Sequence, residues 1–403
     1  MTMEIALKKL KVAIVYDRVN KFGGAERVLL ALHEMFPEAP LYTSVYDEKR
    51  ASWAKVFPKI YTSFLQKIPI LRNYHELMGW LMPLAFESFN FKDYDLVISV
   101  TSEAAKGIIT GTNTLHVCYC LTPTRYLWSG RDYYLSNPPQ IFNIFPFYKI
   151  ISWPFLTYSK WWDKVACQRP DKIIAISTEV QKRIKKYYNR DSEIIFPPVD
   201  QASYRKNHLL RVSAQRTTSR QFLLDMNPDY YLIHGRFEPY KRLDLVIDTF
   251  NDLNLSLVVS GSGSEFERLQ RKSKQNIQFI YNPDDQELAK IYLNSKALIL
   301  PQEEDFGITA VEAQSFGVPV IAFKSGGALD TVIDGKTGIF FKEQKKTSLK
   351  QAIAKFDTMR FNSRYLINNA KNFSKENFKR RLQESLVRSV GSWWRRNTTL
   401  ASI

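Results

Sequence analysis

Residues 297–323, ALILPQEEDFGITAVEAQSFGVPVIAF, determine the fold that the sequence predicts. The runs at 297–300 and 318–323 are short, apolar and continuous, as in strands that are buried on both faces of a sheet. Between them lie an acidic turn and a helical stretch that contains Glu312. A strand, a turn, a helix and a second strand predict a parallel β-α-β unit.

The same alternation extends over the rest of the chain. Short apolar runs predict one series of strands at 12–16, 96–100, 116–120 and 172–176, and a second series at 231–234, 255–259 and 277–281. After the first strand, Val28, Leu32 and Met35 recur on one face of a predicted helix. We therefore expect an α/β protein with two Rossmann-like, doubly wound parallel sheets, whose strand ends line a cleft.

The domain boundaries follow from a rigid break and a final helix. Pro197 and Pro198 give an extended linker, followed by a polar segment at 201–220. A last helix starts near Ser374, a residue suited to the N-cap. We expect an N-terminal domain over 1–198, a C-terminal domain over 199–374, and a helix over 375–403 that crosses back to the N-terminal domain. It would bury Phe378, Leu382 and Leu386.

Composition limits the class of protein and its partners. With 403 residues, 45% hydrophobic and 24% charged, the chain can form two globular domains. The formal charge of +17 favours an anionic partner: nucleic acid, an acidic lipid surface or a phosphorylated small molecule. Residues 1–11 do not resemble a signal peptide, and Pro146, Lys149 and Pro154 interrupt the most apolar window. We expect a cytoplasmic protein, peripheral to the inner face of the membrane.

Cysteine and histidine give no sign of a redox or metal site. Cys118 and Cys120 lie two residues apart in a predicted strand and point to one face, as small buried hydrophobes do. The five histidines lack the spacing of metal ligands. We therefore expect no bound metal.

Two turns of the second series suit a phosphorylated ligand. The first, Gly235, Arg236 and then Lys241, follows a predicted strand and precedes a helix, where two cations can bracket a diphosphate. A solvated loop would look the same. The second holds Gly261 and Gly263, which let the backbone approach a ligand or simply turn.

The acidic turn is the most informative of these segments. Glu304 lies in the loop that follows a buried strand, and Glu312 falls inside the next helix. Carboxylates there accept hydrogen bonds from sugar and ribose hydroxyls. Amides of Phe306, Gly307 and Ile308 open the helix and can donate to a ligand oxygen. The competing interpretation is an acidic helix start with a solvated glutamate. A fourth turn, Ser325-Gly326-Gly327, would form a secondary wall.

These segments together resemble the retaining glycosyltransferases of family 4, which have the GT-B fold. The resemblance rests on Gly235-Arg236 with Lys241, Gly261-Ser262-Gly263, Glu304-x7-Glu312 and Gly317-Val318-Pro319-Val320-Ile321. The first half is similar to the mannosyltransferase-like branch of surface-polysaccharide and O-antigen assembly. It matches at Gly23-Gly24-Ala25-Glu26, Thr62-Ser63-Phe64-Leu65-Gln66, Thr122-Pro123-Thr124-Arg125-Tyr126-Leu127-Trp128 and Pro197-Pro198-Val199-Asp200.

The resemblance implies a role for each of these positions. Arg236 and Lys241 would neutralise the donor diphosphate, Glu304 would contact the donor sugar, and Glu312 would hold the ribose. Gly23 and Gly24 would meet the donor phosphates. The reaction would transfer a hexose with retention from a nucleoside-diphosphate sugar, GDP-mannose being the leading guess, to a lipid-linked saccharide. The resemblance also implies that no cofactor, and usually no metal, is required. Charge builds on the departing diphosphate, and these cations would stabilise it.

One position departs from the branch. Its members often carry histidine before the Thr-Pro of the N-terminal segment, and here that residue is Leu121. The nearby His116 starts a predicted strand and is interpreted as structural. The departure weakens the assignment of the sugar more than that of the reaction.

Aromatic and basic residues suggest how the acceptor is reached. The segment 133–162 is rich in aromatic residues, and a basic helix follows it. The chain closes on Trp393-Trp394-Arg395-Arg396. This chemistry fits an anionic membrane surface, or else a domain core with a solvated face. The residues concerned are Phe142, Phe145, Phe147, Tyr148, Trp153, Phe155, Tyr158 and Trp161, with Lys182, Arg183, Lys185, Lys186 and Arg190.

Three other functions fit parts of the sequence. A nucleic-acid-binding protein would explain the charge but not the paired glutamates, which repel phosphate, so we expect no nucleic-acid partner. A catalytically silent binder of nucleotide sugars fits Leu121. A sugar-nucleotide epimerase would need proton-transfer groups that the sequence does not place.

Overall fold

The computed structural model describes residues 7, 9–68, 79–136, 148–199 and 229–400. They form two compact units: Met1–Pro198 with Phe378–Ile403, here the N-terminal unit, and Val199–Asn377, here the C-terminal unit. The predicted polar segment 201–220, Asp200, and three of the aromatic residues lie outside the described residues. Those three are Phe142, Phe145 and Phe147.

The N-terminal unit contains a seven-stranded parallel sheet in the order β3-β2-β1-β4-β5-β6-β7. Strands β1 to β3 follow one another toward one edge of the sheet, and strands β4 to β7 follow one another toward the other edge. The direction in which strands are added therefore reverses between β1 and β4. Ligands of such sheets bind at the carboxyl ends of the strands at this switch point. The strands are β1 Val12–Tyr16, β2 Leu41–Thr43, β3 Ile60–Thr62, β4 Leu96–Thr101, β5 Leu115–Cys120, β6 Lys172–Ala175 and β7 Glu193–Ile194.

Helices cover the sheet of this unit through apolar faces. In α1 the predicted Val28 and Leu32 are buried. The last helix starts where the sequence predicts, because the amide of Asn377 donates to Ser374 Oγ at 3.2 Å. The α-helices are α1 Gly24–Met35, α2 Met82–Glu87, α3 Arg131–Ser136, α4 Tyr148–Ala166 and α5 Thr178–Tyr188, with α13 Lys375–Leu400 at the C-terminal end; short 3₁₀ helices cover Ser52–Val56, Phe64–Lys67 and Ala105–Gly107.

The final helix belongs to the N-terminal unit, although most of the C-terminal unit precedes it in sequence. Phe378, Leu382 and Leu386 are buried. The ring of Phe378 meets that of Tyr119 edge-on at 5.7 Å. Ser385 Oγ donates to Glu193 at 2.7 Å. Apolar burial along one face therefore docks this helix on the first sheet.

The C-terminal unit contains a six-stranded parallel sheet in the order β10-β9-β8-β11-β12-β13, which reverses between β8 and β11. Its strands are β8 Tyr230–Arg236, β9 Leu257–Ser262, β10 Ile277–Tyr281, β11 Ser295–Leu300, β12 Val320–Phe323 and β13 Gly338–Phe341. Its helices are α6 Leu243–Leu253, α7 Phe266–Lys272, α8 Asp285–Leu293, α9 Ile308–Ser315, α10 Ala328–Thr331, α11 Lys346–Asp357 and α12 Ser363–Lys371, with a 3₁₀ helix at Pro239–Lys241.

The two sheets confirm the predicted fold class, an α/β protein with two doubly wound parallel sheets. Cys118 and Cys120 are buried free thiols, as predicted. No helix among the described residues is long and apolar enough to cross a membrane.

Candidate functional site

In the C-terminal unit, Gly235 and Gly261 are part of the last residues of their strands and do not lie in turns after them. The prediction placed Gly235, Arg236 and Gly261 after their strands, but β8 runs to Arg236 and β9 to Ser262. The reason is pairing: Gly235 aligns with Gly261, and Arg236 with Ser262. The backbone hydrogen bonds of the sheet keep both segments extended to that point.

Three of these glycines have positive φ, and two have no room for a side chain. A Cβ on Gly261 would lie 1.9 Å from the carbonyl oxygen of Gly235. A Cβ on Gly263 would lie 2.6 Å from the backbone of Phe237. Gly235 has space around it but φ is +151°, which disfavours any other residue. The glycines therefore bring the β8 and β9 backbones together at the carboxyl edge of the sheet.

Across the switch point, the basic turn contacts the acidic turn. Lys241 Nζ forms an ion pair with Glu304 Oε1, and both side chains are largely buried. Gln302 Nε2 donates to the same Glu304 oxygen at 2.6 Å. These contacts join the segment after β8 to the loop after β11. The sequence predicted Lys241 and Glu304 at the site but not Gln302, whose side chain is itself buried.

Arg236 makes a contact of its own. Its side chain is exposed, and Arg236 Nη2 donates to Tyr240 Oη at 2.8 Å. Lys241 Nζ also lies 5.2 Å from the Tyr240 ring. Tyr240 therefore connects the two predicted phosphate-binding cations, a role that the sequence analysis missed.

The acidic turn ends in a helix cap that only glycine forms easily. Gly307 has φ +86° and precedes α9 as its N-cap. Glu304 and Asp305 lie before that cap, so the interpretation as an acidic helix start is wrong. Phe306 is buried, and its ring contacts Phe373 at 5.5 Å. The buried Phe306 ring therefore anchors the loop, while Glu304 stays partly accessible.

The fourth turn supports this loop closely. Gly327 N donates to the Glu304 carbonyl at 2.8 Å. A Cβ on Gly327 would lie 2.3 Å from Phe306 Cα, and one on Gly326 would lie 2.3 Å from the Glu304 carbonyl oxygen. Ser325 Oγ donates to Glu303 at 2.6 Å. The turn positions the acidic loop by direct backbone contact.

Glu312 is buried. The alternative interpretation required a solvated glutamate and is therefore wrong. It lies in the second turn of α9, and only 3% of its surface is exposed. Tyr292 Oη donates to Glu312 Oε2 at 3.3 Å. The Tyr292 ring also meets His234 edge-on at 5.9 Å. Buried carboxylates need hydrogen bonds that satisfy them, and Tyr292 supplies one to Glu312.

Gly23 and Gly24 lie at the start of α1 in the N-terminal unit. Gly23 is the N-cap in an extended conformation. A Cβ there would approach Glu26 Oε2 to 3.2 Å. Glu26 accepts from Tyr16 Oη at 2.7 Å, and burial raises the pKa of Glu26. The glycine loop is therefore held by a buried tyrosine–carboxylate contact that the sequence analysis did not predict.

The segment that resembles the mannosyltransferase-like branch is anchored on a buried ion pair. Asp163 Oδ1 lies 2.6 Å from Lys106 Nζ. Asp163 also accepts from Thr124, Trp128 and Tyr188, at 2.8, 2.7 and 2.7 Å. Burial alone would lower the pKa of Lys106, but the carboxylate outweighs it and raises that pKa. Thr124 and Trp128 therefore fix the loop after β5 on α4.

His116 has the surroundings of a structural residue, as the sequence predicts. It is fully buried on β5, and its Nε2 lies 2.8 Å from Ser99 Oγ. Burial lowers its pKa to about 3. Leu121 follows the end of β5, where its amide donates to the Thr101 carbonyl at 2.8 Å.

The aromatic segment divides between core and surface. Trp162 is buried, whereas Trp153 and Trp161 are each 61% exposed. In the basic helix α5, Arg183 is buried beside Glu179. Beyond the end of this helix, Arg190 donates to backbone carbonyls such as that of Pro170. These two arginines therefore act within the fold, which corrects their assignment to a membrane-facing set.

Comparison with known proteins identifies the fold of the chain. The chain is similar in structure to HepE from Anabaena in a complex with UDP, with a TM-score of 0.66 and 18% identity, covering 94% of this chain and 99% of HepE. It is also similar to WaaG, a glycosyltransferase involved in lipopolysaccharide biosynthesis, with a TM-score of 0.58 and 16% identity over 93% of this chain and 98% of WaaG. The chain has the GT-B fold.

Sequence comparison defines the C-terminal half further. Residues 214–373 match the family described as glycosyl transferases group 1. The chain is 23% identical to α-1,3/1,6-mannosyltransferase ALG2 of Dictyostelium discoideum, covering 82% of this chain and 86% of that protein. It is 24% identical to glycosyltransferase MJ1178 of Methanocaldococcus jannaschii over 53% of this chain, and it spans 57% of that relative. The chain carries a glycosyl transferases group 1 domain.

Proposed function

We propose that this protein is a retaining glycosyltransferase that moves a hexose, with mannose the leading candidate, from a nucleoside-diphosphate sugar to a lipid-linked saccharide. The observation that carries the proposal is the contact of Lys241 with Glu304 across the switch point of the C-terminal unit. A cation suited to phosphate and a carboxylate suited to sugar hydroxyls meet where ligands of such sheets bind.

The proposed donor chemistry follows from these side chains. Lys241 and Arg236 would neutralise the diphosphate as the glycosidic bond to the sugar breaks, which stabilises the transition state more than the ground state. Glu304 would accept from donor-sugar hydroxyls, and Glu312 from the ribose. Lys241 already contacts Glu304, so donor binding would place phosphate and hydroxyl groups around an existing ion pair rather than order two free side chains.

The relatives favour this reaction class without fixing the sugar. Besides ALG2, the chain is 23% identical to D-rhamnosyltransferase WbpZ of Pseudomonas aeruginosa over 45% of this chain. HepE has also been solved with UDP-glucose. Polysaccharide or glycoconjugate assembly is therefore the proposed setting, and the base of the nucleotide is left to experiment.

The exposed face of α4 supports a peripheral membrane contact. Trp153, Trp161 and Val165 are exposed, whereas Trp162 and Ala166 on the opposite face are buried. Exposed tryptophans on an amphipathic helix are typical of membrane interfaces. We propose that this face brings the enzyme to its lipid-linked acceptor at the cytoplasmic side of the membrane.

The reaction is tested with a panel of nucleotide sugars. The protein is incubated with each donor, with and without an extract of lipid-linked saccharides, and free nucleoside diphosphate is measured. We expect acceptor-dependent release from one donor and its loss in Glu304→Ala and Arg236→Ala. Binding of nucleotide sugars without release from any would favour a silent binder. Neither binding nor release would overturn the proposal.

The membrane contact has its own test. Full-length protein is sedimented with vesicles of phosphatidylglycerol and phosphatidylcholine, and Trp153→Ser with Trp161→Ser is compared with Tyr281→Ser. Tyr281 is also 61% exposed but lies on β10 of the C-terminal unit. We expect loss of sedimentation only in the tryptophan variant, and equal sedimentation of all three proteins would contradict the contact.

A further inference from the structure

The switch point of the N-terminal unit carries a second ion pair, which has no role in the proposed binding of the donor. Arg18 Nη2 contacts Glu103 Oε1, and their side chains are 18% and 16% exposed. Arg18 follows β1 and Glu103 follows β4, the two strands between which the order reverses. Ligands of doubly wound sheets bind at this location.

Asp17 fixes the loop that presents Glu103. Its carboxylate is buried and accepts from Thr101 Oγ1 at 2.9 Å and from the amides of residues 102–105 at 2.7–3.0 Å. The amide of Glu103 is one of these donors. A buried carboxylate with several charge-assisted hydrogen bonds holds its partners rigidly.

The same loop is fixed from its other end. Lys106 Nζ donates to the carbonyl of Glu103 and forms the buried ion pair with Asp163. Glu103 is therefore held through its amide by Asp17 and through its carbonyl by Lys106, while its carboxylate remains partly accessible. Burial raises the pKa of Glu103, and Arg18 opposes that shift. Binding sites gain precision when second groups fix the first in this way.

The chemistry of the pair selects neutral, hydroxyl-bearing ligands. A carboxylate accepts from hydroxyl groups, and a guanidinium donates to hydroxyl oxygens. The pair has no net charge, and both of its members can bind hydroxyl groups. Adjacent hydroxyls of a sugar ring satisfy both partners, whereas a phosphate satisfies only Arg18.

We propose that Arg18 and Glu103 form a saccharide-binding subsite, which holds hydroxyl groups of the acceptor sugar, with Asp17 and Lys106 as positioning residues. The assignment of the bound saccharide as the acceptor rests on the proposed transferase function. Leu121, which follows β5, supplies no hydrogen-bonding side chain of its own.

The test separates saccharide binding from nucleotide binding in the full-length protein. Methyl α-mannoside, α-glucoside and α-galactoside are titrated by saturation-transfer NMR, with nucleoside diphosphates present. Affinity for the nucleoside diphosphates is measured separately by calorimetry. We expect Glu103→Gln and Arg18→Met to weaken binding of the preferred glycoside about tenfold or more, since hydrogen bonds to charged groups are strong. Nucleotide affinity should change by less than about twofold.

Two further variants control for folding and for charge. Glu103→Asp keeps the charge but shortens the side chain, so it should fold normally and still weaken glycoside binding. Glu384→Gln removes an exposed helix ion pair with Arg380 in the same unit and should leave binding unchanged. Unaltered glycoside binding in Glu103→Gln, or no glycoside binding by the wild type, would overturn the subsite. Absent nucleotide binding with intact glycoside binding would instead contradict the proposed transferase.

Discussion

The switch points of the two units each carry an ion pair between a cation and a glutamate, but different features support the two pairs. In the C-terminal unit, Lys241 pairs with Glu304, and glycines without room for side chains bring the supporting backbones together. In the N-terminal unit, Arg18 pairs with Glu103, and the buried carboxylate of Asp17 holds the loop. Glycines give close backbone approach, as phosphates require. A carboxylate anchor orients a side chain, as sugar hydroxyls require.

The comparison predicts its largest effect at a glycine of the C-terminal unit. Gly261→Ala places a methyl group 1.9 Å from the Gly235 carbonyl oxygen at φ +135°. We expect a loss of about 3 kcal/mol or more in the free energy of unfolding, measured by chemical denaturation. Gly235→Ala should cost less, about 1–3 kcal/mol, because only its backbone conformation is strained.

A glycine of the N-terminal unit provides the control for this experiment. A Cβ on Gly111 meets no atom within 4 Å. Gly111→Ala should therefore change the free energy of unfolding by less than about 0.5 kcal/mol. If Gly261→Ala were as stable as Gly111→Ala, close backbone contact would not define the C-terminal switch point.

The next effect concerns the charge pair of the C-terminal unit. Lys241→Met removes a cation placed for the diphosphate and leaves Glu304 with Gln302 as its neighbour. We expect kcat/KM for transfer to fall about 10²- to 10³-fold, the usual effect of losing one charge-stabilising donor. Lys345→Met, which removes an exposed pair with Glu343, should be active. Normal activity of Lys241→Met would exclude a catalytic role for this lysine.

Asp17 tests the anchor of the N-terminal unit. Asp17→Asn directs an amide nitrogen toward backbone donors, and we expect a loss of about 2–3 kcal/mol in the free energy of unfolding. The control is Asp47→Asn, because Asp47 accepts from the amides of Lys49 and Arg50 in an exposed turn. It should cost less than about 1 kcal/mol. Equal losses in the two variants would show that Asp17 is an ordinary turn residue.

The smallest effect is a pH dependence confined to the N-terminal unit. The pKa of His116 falls from 6.5 to about 3 on burial. Below pH 6.5 the unfolded chain binds a proton that the folded chain does not, so stability decreases as the pH falls. Between pH 7 and pH 5 this linkage amounts to about 2 kcal/mol. His116→Gln should remove that part of the pH dependence of unfolding, and an unchanged dependence would contradict the assignment.

The C-terminal site was easier to predict from the sequence than the N-terminal site. Strand–turn–helix periodicity predicted both sheets, and the glycines and Glu304-x7-Glu312 indicated the C-terminal site, because those signals are local. Strand ends were less accurate: β9 was expected at 255–259 but covers Leu257–Ser262. Pairing with Gly235 extends that strand, and a partner strand leaves no mark in the local pattern.

The N-terminal site was missed for the same physical reason. Asp17 and Thr101 are separated by 84 residues, and only the pairing of β1 with β4 brings them together. An aspartate after a strand and a glutamate in a loop are common in protein sequences, so neither residue indicates a site by itself. Gln302, likewise, became visible only through its contact with Glu304. The predicted roles of all the site residues toward a donor, including those of Gly23, Gly24, Gly263 and Ile308, stay predictions.

Donor binding tests the central claim, that the C-terminal switch point binds the nucleotide sugar, most directly. Calorimetric titration of the panel of nucleotide sugars compares the wild type with Lys241→Met and Glu103→Gln. We expect one donor to bind the wild type, Lys241→Met to weaken this binding at least tenfold, or about 1.4 kcal/mol, and Glu103→Gln to leave it unchanged. Equal donor affinity in the wild type and Lys241→Met, or no donor binding at all, would contradict the claim.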